Sequence, residues 1–169
     1  MNSTLASWNE ANADAALAAM IACCGARRWA EAMVALRPIA DVSELSASAN
    51  RIWSTMEEVD WREAFACHPR VGEHKTANTS AQSHAWSQEE QSSTKSAAMA
   101  VLAKLAIGNA LYERRFGFTY IVCATGKSAE EMLSILNRRL ANDLATELRE
   151  AAEQQRQIMQ IRLRKWLDE

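Results

Sequence analysis

Asn142 to Leu167, NDLATELREAAEQQRQIMQIRLRKWL, is the stretch that decides the fold class. Wound at about 100° per residue, it gathers Leu144, Leu148, Ala151, Ile158, Met159 and Trp166 on one face. Asp143 to Leu167 therefore reads as a long amphipathic helix, which Asn142 can cap. Arg162 falls near the centre of the apolar face. A buried guanidinium needs a partner, so Arg162 either pairs with an internal carboxylate such as Glu90 or is held ready for an anionic ligand. Base rates favour the ion pair. Arg156, Arg164 and Lys165 fall off this face and read as solvated charge.

The rest of the chain extends the same pattern. Only five glycines and two prolines punctuate it, while good helix formers abound, so an all-α bundle is expected. A first helix is expected from about Thr4 to Cys24, stopped by Gly25, and a second from Arg27 to Leu36 before Pro38. Leu45, Ile52, Trp53, Met56 and Val59 repeat at helical spacing in a third, which either continues or restarts at Trp61 and ends by His68. Glu73 to Ala85 lacks apolar periodicity and reads as a loop. Ser87-Gln88-Glu89-Glu90 has capping-box spacing and opens a helix to Arg115, and Ser128-Ala129-Glu130-Glu131 opens another to about Ala141. Between them Phe118 to Ala124 is β-branched and aromatic, bounded by Gly117 and Gly126. It reads as a lone extended segment whose backbone groups are satisfied by loops, water or a bound polar ligand.

Composition bounds the function classes. The 169 residues suit a single domain spanning 1–169, and 19 basic against 21 acidic side chains give a net charge of −2. That balance offers no footprint for nucleic acid or an anionic membrane. With no signal-like N-terminus and no stretch near the ~20 apolar residues of a membrane span, a soluble, unprocessed protein is expected. Cys23, Cys24, Cys67 and Cys123 have neither paired zinc spacing nor disulfide density, which points to reduced thiols in the cytoplasm. Cys67 beside His68 is read as a small buried thiol, not a nucleophile. His74 and His84 form no helical pair, so no metal is expected.

The residues left over are polar ones in unusual places. In His68-Pro69-Arg70-Val71-Gly72-Glu73, proline pushes His68 out of helical geometry, so its ring is aimed by a turn. An isolated His-Pro pair is more often a simple helix stop. On the helix from Ser87, the stripe of Ala98, Val101, Leu102 and Leu105 runs back through Ser87, Gln91 and Thr94, with Glu90 at its edge. Capping explains Ser87 and Glu90 but not Gln91. A histidine, a carboxylate, a carboxamide and an arginine beside an apolar core make a candidate site for a small anionic substrate.

Four segments in order carry a resemblance: His68-Pro69-Arg70-Val71-Gly72; Trp86-Ser87 with Glu90-Gln91; Tyr112 with Arg115-Phe116-Gly117-Phe118 into Tyr120-Ile121-Val122; and Ile158 with Arg162-Leu163. From about His68 to the C-terminus the chain resembles the 2-oxo-4-hydroxy-4-carboxy-5-ureidoimidazoline (OHCU) decarboxylase family. The resemblance implies an all-helical, cofactor-independent decarboxylase of urate catabolism, usually dimeric, yielding (S)-allantoin and CO2. It places the catalytic histidine on His68 and the active-site glutamate on Glu90. Substrate contacts fall on Pro69, Ser87, Gln91, Arg162 and the backbone of Tyr120, Ile121, Val122, Cys123 and Ala124. The chain departs from its relatives at Thr119, where apolar residues or proline are frequent, and in a longer polar loop between Gly72 and Trp86. The C-terminal Trp166-Leu167-Asp168-Glu169 lacks an S-K-L-type peroxisomal address, again favouring the cytoplasm. Two rivals remain: a non-catalytic helical interaction module, and a related ureide hydrolase or isomerase on the same fold. The module predicts no pocket joining His68, Glu90 and Arg162.

Overall fold

The computed structural model describes residues 2–72, 86 and 99–169. Among these residues the chain is all-α, with eight helices and no strand: α1 (Ser3–Glu10), α2 (Ala13–Cys24), α3 (Arg27–Ala35), α4 (Val42–Trp53), α5 (Glu58–Ala66), α6 (Met99–Phe116), α7 (Ala129–Arg139) and α8 (Leu144–Leu167). They fall into two compact units, Met1–Ala64 with Arg156–Glu169, and Phe65–Gln155. No helix among the described residues is long and apolar enough to cross a membrane.

In the first unit, the single helix expected from Thr4 to Cys24 is two. Ala11 is extended, and the Asn12 side chain accepts the Ala15 N–H at 2.9 Å, starting α2 afresh. The carbonyls orphaned at the end of α1 are met from a distance. Arg37 Nη1 donates to Trp8 O at 2.7 Å and Ala11 O at 2.8 Å, and its guanidinium lies 5.4 Å from the Trp8 ring centroid. Gly25, at φ 90°, closes α2 in the left-handed conformation that other side chains resist. The third expected helix breaks after Trp53 and resumes at Glu58, three residues earlier than Trp61. There Asp60 Oδ2 accepts the Glu57 N–H at 2.9 Å and pairs with Arg28 at 3.1 Å. Leu5, Met20, Trp29, Met33 and Leu45 fill the core. Trp29 is wholly buried and its indole N–H donates to Ala49 O at 3.1 Å, so its large apolar ring is sequestered without an orphaned donor.

In the second unit, α6 and α7 approach closely at Gly108, where a Cβ would come within 2.5 Å of Leu136 Cδ2. The residues after α6 bury Phe118 and Tyr120 against Tyr112, with ring centroids 5.6 and 5.3 Å apart. The capping box expected at Ser128 is present in both directions, with Glu131 as its partner. At the next boundary Asp143, not Asn142, caps the last helix. Its carboxylate accepts the Thr146 N–H at 2.8 Å, while Asn142 Nδ2 turns to Glu147 Oε2 at 2.8 Å. Leu144, expected on the apolar face, is exposed because it sits in the first turn outside the packed stripe. Leu148, Ala151, Ile158, Met159 and Trp166 are buried.

Candidate active site

His68 follows the end of α5, where its N–H donates to Phe65 O at 3.1 Å and closes the last turn. Its ring is buried, and Nε2 lies 2.7 Å from Oε1 of Gln155, itself wholly buried on α8. Pro69 is buried beside it. The turn that follows is fixed by two residues one helical turn apart on α6. Asn109 Nδ2 donates to Val71 O at 2.9 Å, and Glu113 takes Arg70 in a two-pronged pair at 2.6 and 2.8 Å. Gly72, at φ 90°, lets the chain leave this turn in a conformation other residues resist.

Tyr120, Ile121, Val122, Cys123 and Ala124 are all buried and lie in neither helix nor strand. Side chains replace the sheet. Gln154 Oε1 accepts the Cys123 N–H at 2.9 Å, Arg139 Nη1 donates to Ile121 O at 2.6 Å, and Lys127 Nζ donates to Cys123 O at 2.7 Å. Tyr120 is pinned at its far end, its hydroxyl donating to Met132 O at 3.1 Å. Gln154 and Gln155 are neighbours, so one turn of α8 holds both the His68 ring and this segment.

Behind the segment lies an ionic network. Arg139 and Glu147 are both wholly inaccessible, and Glu147 Oε1 accepts from Arg139 Nε at 2.8 Å and Nη2 at 2.6 Å. The Tyr112 hydroxyl also donates to Glu147. The Arg139 guanidinium stands 4.9 Å from the Tyr120 ring centroid. Burial pushes the Tyr112 phenol well above its ordinary range, partly opposed by Arg139, so it remains a neutral donor to the carboxylate.

The structure thus brings His68, Pro69 and residues 120–124 together within one unit. Arg162 belongs to the other unit, buried as its place on the apolar face requires. Burial raises the nearby Cys23 thiol far above its usual value, with Arg162 acting in the opposite sense, so Cys23 is a packed and unreactive thiol. Ser87, Glu90 and Gln91 lie outside the described residues, as does the expected helix start at Ser87; Trp86 is described and buried. Gln155, Gln154, Arg139 and Glu147 were not anticipated. Two of them carry the signal that singled out Gln91 and Arg162, a polar residue in an apolar stripe. Arg139 continues the Met132 and Leu136 stripe of α7, and Gln155 lies between Ala151 and Ile158.

The family model for OHCU decarboxylase matches residues 9–164. The chain belongs to the OHCU decarboxylase family. A uric acid degradation bifunctional protein (TTL) of Arabidopsis thaliana is 35% identical over 145 residues, covering 85% of this chain and 44% of that protein. The chain therefore spans less than half of that relative. An OHCU decarboxylase of Amia calva is 28% identical over 127 residues, covering 75% of this chain and 73% of its own. Among solved structures, an OHCU decarboxylase in the presence of (S)-allantoin superposes with a TM-score of 0.75 at 31% identity, covering 88% of this chain and 96% of the other. An (S)-allantoin synthase structure shares the fold, with a TM-score of 0.70 at 18% identity over 96% of this chain and 53% of its own. Among its described residues this OHCU decarboxylase family member is all-α, in keeping with the OHCU decarboxylase structure on which it superposes.

Proposed function

We propose that the chain decarboxylates OHCU to (S)-allantoin and CO2, as one functional domain spanning both units. The observation that carries this reading is the pair Gln154–Gln155, which holds the His68 ring and the Cys123 backbone on one turn of α8. The family match over residues 9–164 supports it.

The substrate's conjugated ring can hold the electron pair released when the carboxylate leaves as CO2, so the reading needs neither cofactor nor metal. In this scheme Arg162 binds an anionic substrate group in bidentate fashion, and the backbone of residues 120–124 hydrogen-bonds the ureido and ring amides. Pro69 forms part of the wall, with Ser87 and Gln91 completing the cradle. Loss of CO2 leaves a carbanion, to which His68 delivers a proton on one face while Glu90 orients or polarises the reacting group. Delivery from one side gives one enantiomer. The acting form is proposed to be a homodimer in the cytoplasm, the dimer on family resemblance and the compartment on four free cysteines.

The test supplies freshly generated OHCU and follows allantoin by circular dichroism, because the spontaneous reaction yields racemate. A dichroic signal of the S enantiomer, forming faster than background decay, is expected. Racemic product at the background rate overturns the proposal.

A further inference from the structure

We infer that Gln155 is a positioning residue that selects the proton-bearing nitrogen of His68, keeping Nε2–H directed at its own Oε1 and leaving Nδ1 to exchange the reacting proton. The inference rests on the reading of His68 as the proton-handling group.

A neutral imidazole has one N–H and one lone pair, and which nitrogen carries which is set by what each faces. Here Nε2 faces the carbonyl oxygen of Gln155 at 2.7 Å, with the ring and the carboxamide both buried. With the amide oxygen as the acceptor, Nε2 is the donor, which puts the lone pair of the neutral ring on Nδ1. The amide oxygen accepts from Nε2–H equally in the neutral and protonated ring. The contact therefore survives a full cycle of proton loss and gain at Nδ1. A carboxylate there would favour the imidazolium, and an aliphatic side chain would leave the ring's orientation to packing. An uncharged acceptor selects the tautomer without fixing the charge. The acceptor is itself well held, because Gln155 lies in the buried stripe of α8 and its neighbour Gln154 is tied to the Cys123 backbone. A shift of Gln155 would therefore disturb the ring and the 120–124 segment together.

The test uses the full chain with 15N-labelled histidine and long-range proton–nitrogen correlation, with His68→Ala identifying the His68 signals among the three histidines. With the ring neutral, the wild type is expected to show a protonated Nε2 whose hydrogen is protected from solvent, and an unprotonated Nδ1. Gln155→Met, close in volume but lacking the acceptor, should lose that protected hydrogen and about 10²-fold in kcat with KM unchanged. Gln155→Glu, which restores an acceptor, should regain the hydrogen. A proton on Nδ1 in the wild type overturns the inference without recourse to any variant. Wild-type kcat in Gln155→Met, alongside loss in His68→Ala, overturns the positioning role alone. Normal turnover in His68→Ala overturns it together with the catalytic reading.

Discussion

At the scale of single residues, the proposed role of His68 calls for a ring immobile enough to aim a proton yet able to change charge. The turn supplies immobility through the Phe65 carbonyl, buried Pro69 and the Asn109 hold on Val71. His68→Ala and Glu90→Gln are each expected to lower turnover by ~10²–10⁴-fold, the range for a positioned acid or base, with the far-ultraviolet dichroism of a helical protein retained. Folded variants with normal turnover would remove both assignments. Arg162→Lys should raise KM far more than it lowers kcat, because an ammonium cannot reproduce the planar fork; unchanged saturation kinetics would count against a substrate-binding role. The unusual settings of His68 and Arg162, both buried, were legible in the sequence because each violates a local rule, one by its proline and one by its apolar surroundings. The partner of His68 was not legible as such, since 87 positions separate it from Gln155 and only tertiary structure joins them.

At the scale of elements, helix identity was written in the sequence more clearly than helix ends. The alanine-rich run before Gly25 contains no breaker, and its division at Ala11 depends on Arg37 donating to carbonyls 26 and 29 positions away. Asn12 was the local clue. Asn12→Ala should cost about 1 kcal/mol of stability in urea unfolding, the usual value of such a cap, and no change in midpoint would show that α2 needs no cap. Asp143 gives a pH-dependent counterpart. Hydrogen bonds from the Thr146 N–H and hydroxyl hold its carboxyl below the usual carboxylate range. Because the folded-state value is the lower one, its stabilisation is present above the unfolded-state value and is lost as pH falls through the folded-state value. Asp143→Asn keeps a capping oxygen that does not titrate, so it should flatten that acid-side part of the melting-temperature profile. An unaltered acid slope would assign the dependence to other carboxylates.

At the scale of the whole molecule, the all-α class follows from composition and periodicity, but the Arg139–Glu147 network does not. Arg139 ends one helix and Glu147 stands in the first turn of the next, so nothing local pairs them, and yet both are wholly buried and bonded to each other. Such a pair is costly to break and inexpensive to replace. Glu147→Ala leaves a buried guanidinium without its carboxylate and should destabilise by about 3–5 kcal/mol in chemical denaturation. Arg139→Met with Glu147→Leu removes both charges together and should recover most of that loss. Equal losses in single and double variants would show that the cost arises from packing and not from charge. The double variant also separates folding from function, because Arg139 holds the Ile121 carbonyl as well as Glu147. If residues 120–124 form the substrate cradle, the double variant should fold nearly as stably as wild type and still bind substrate poorly, with KM raised. Restored stability with wild-type KM would mean that the segment keeps its shape without the arginine, leaving Arg139 a purely structural residue.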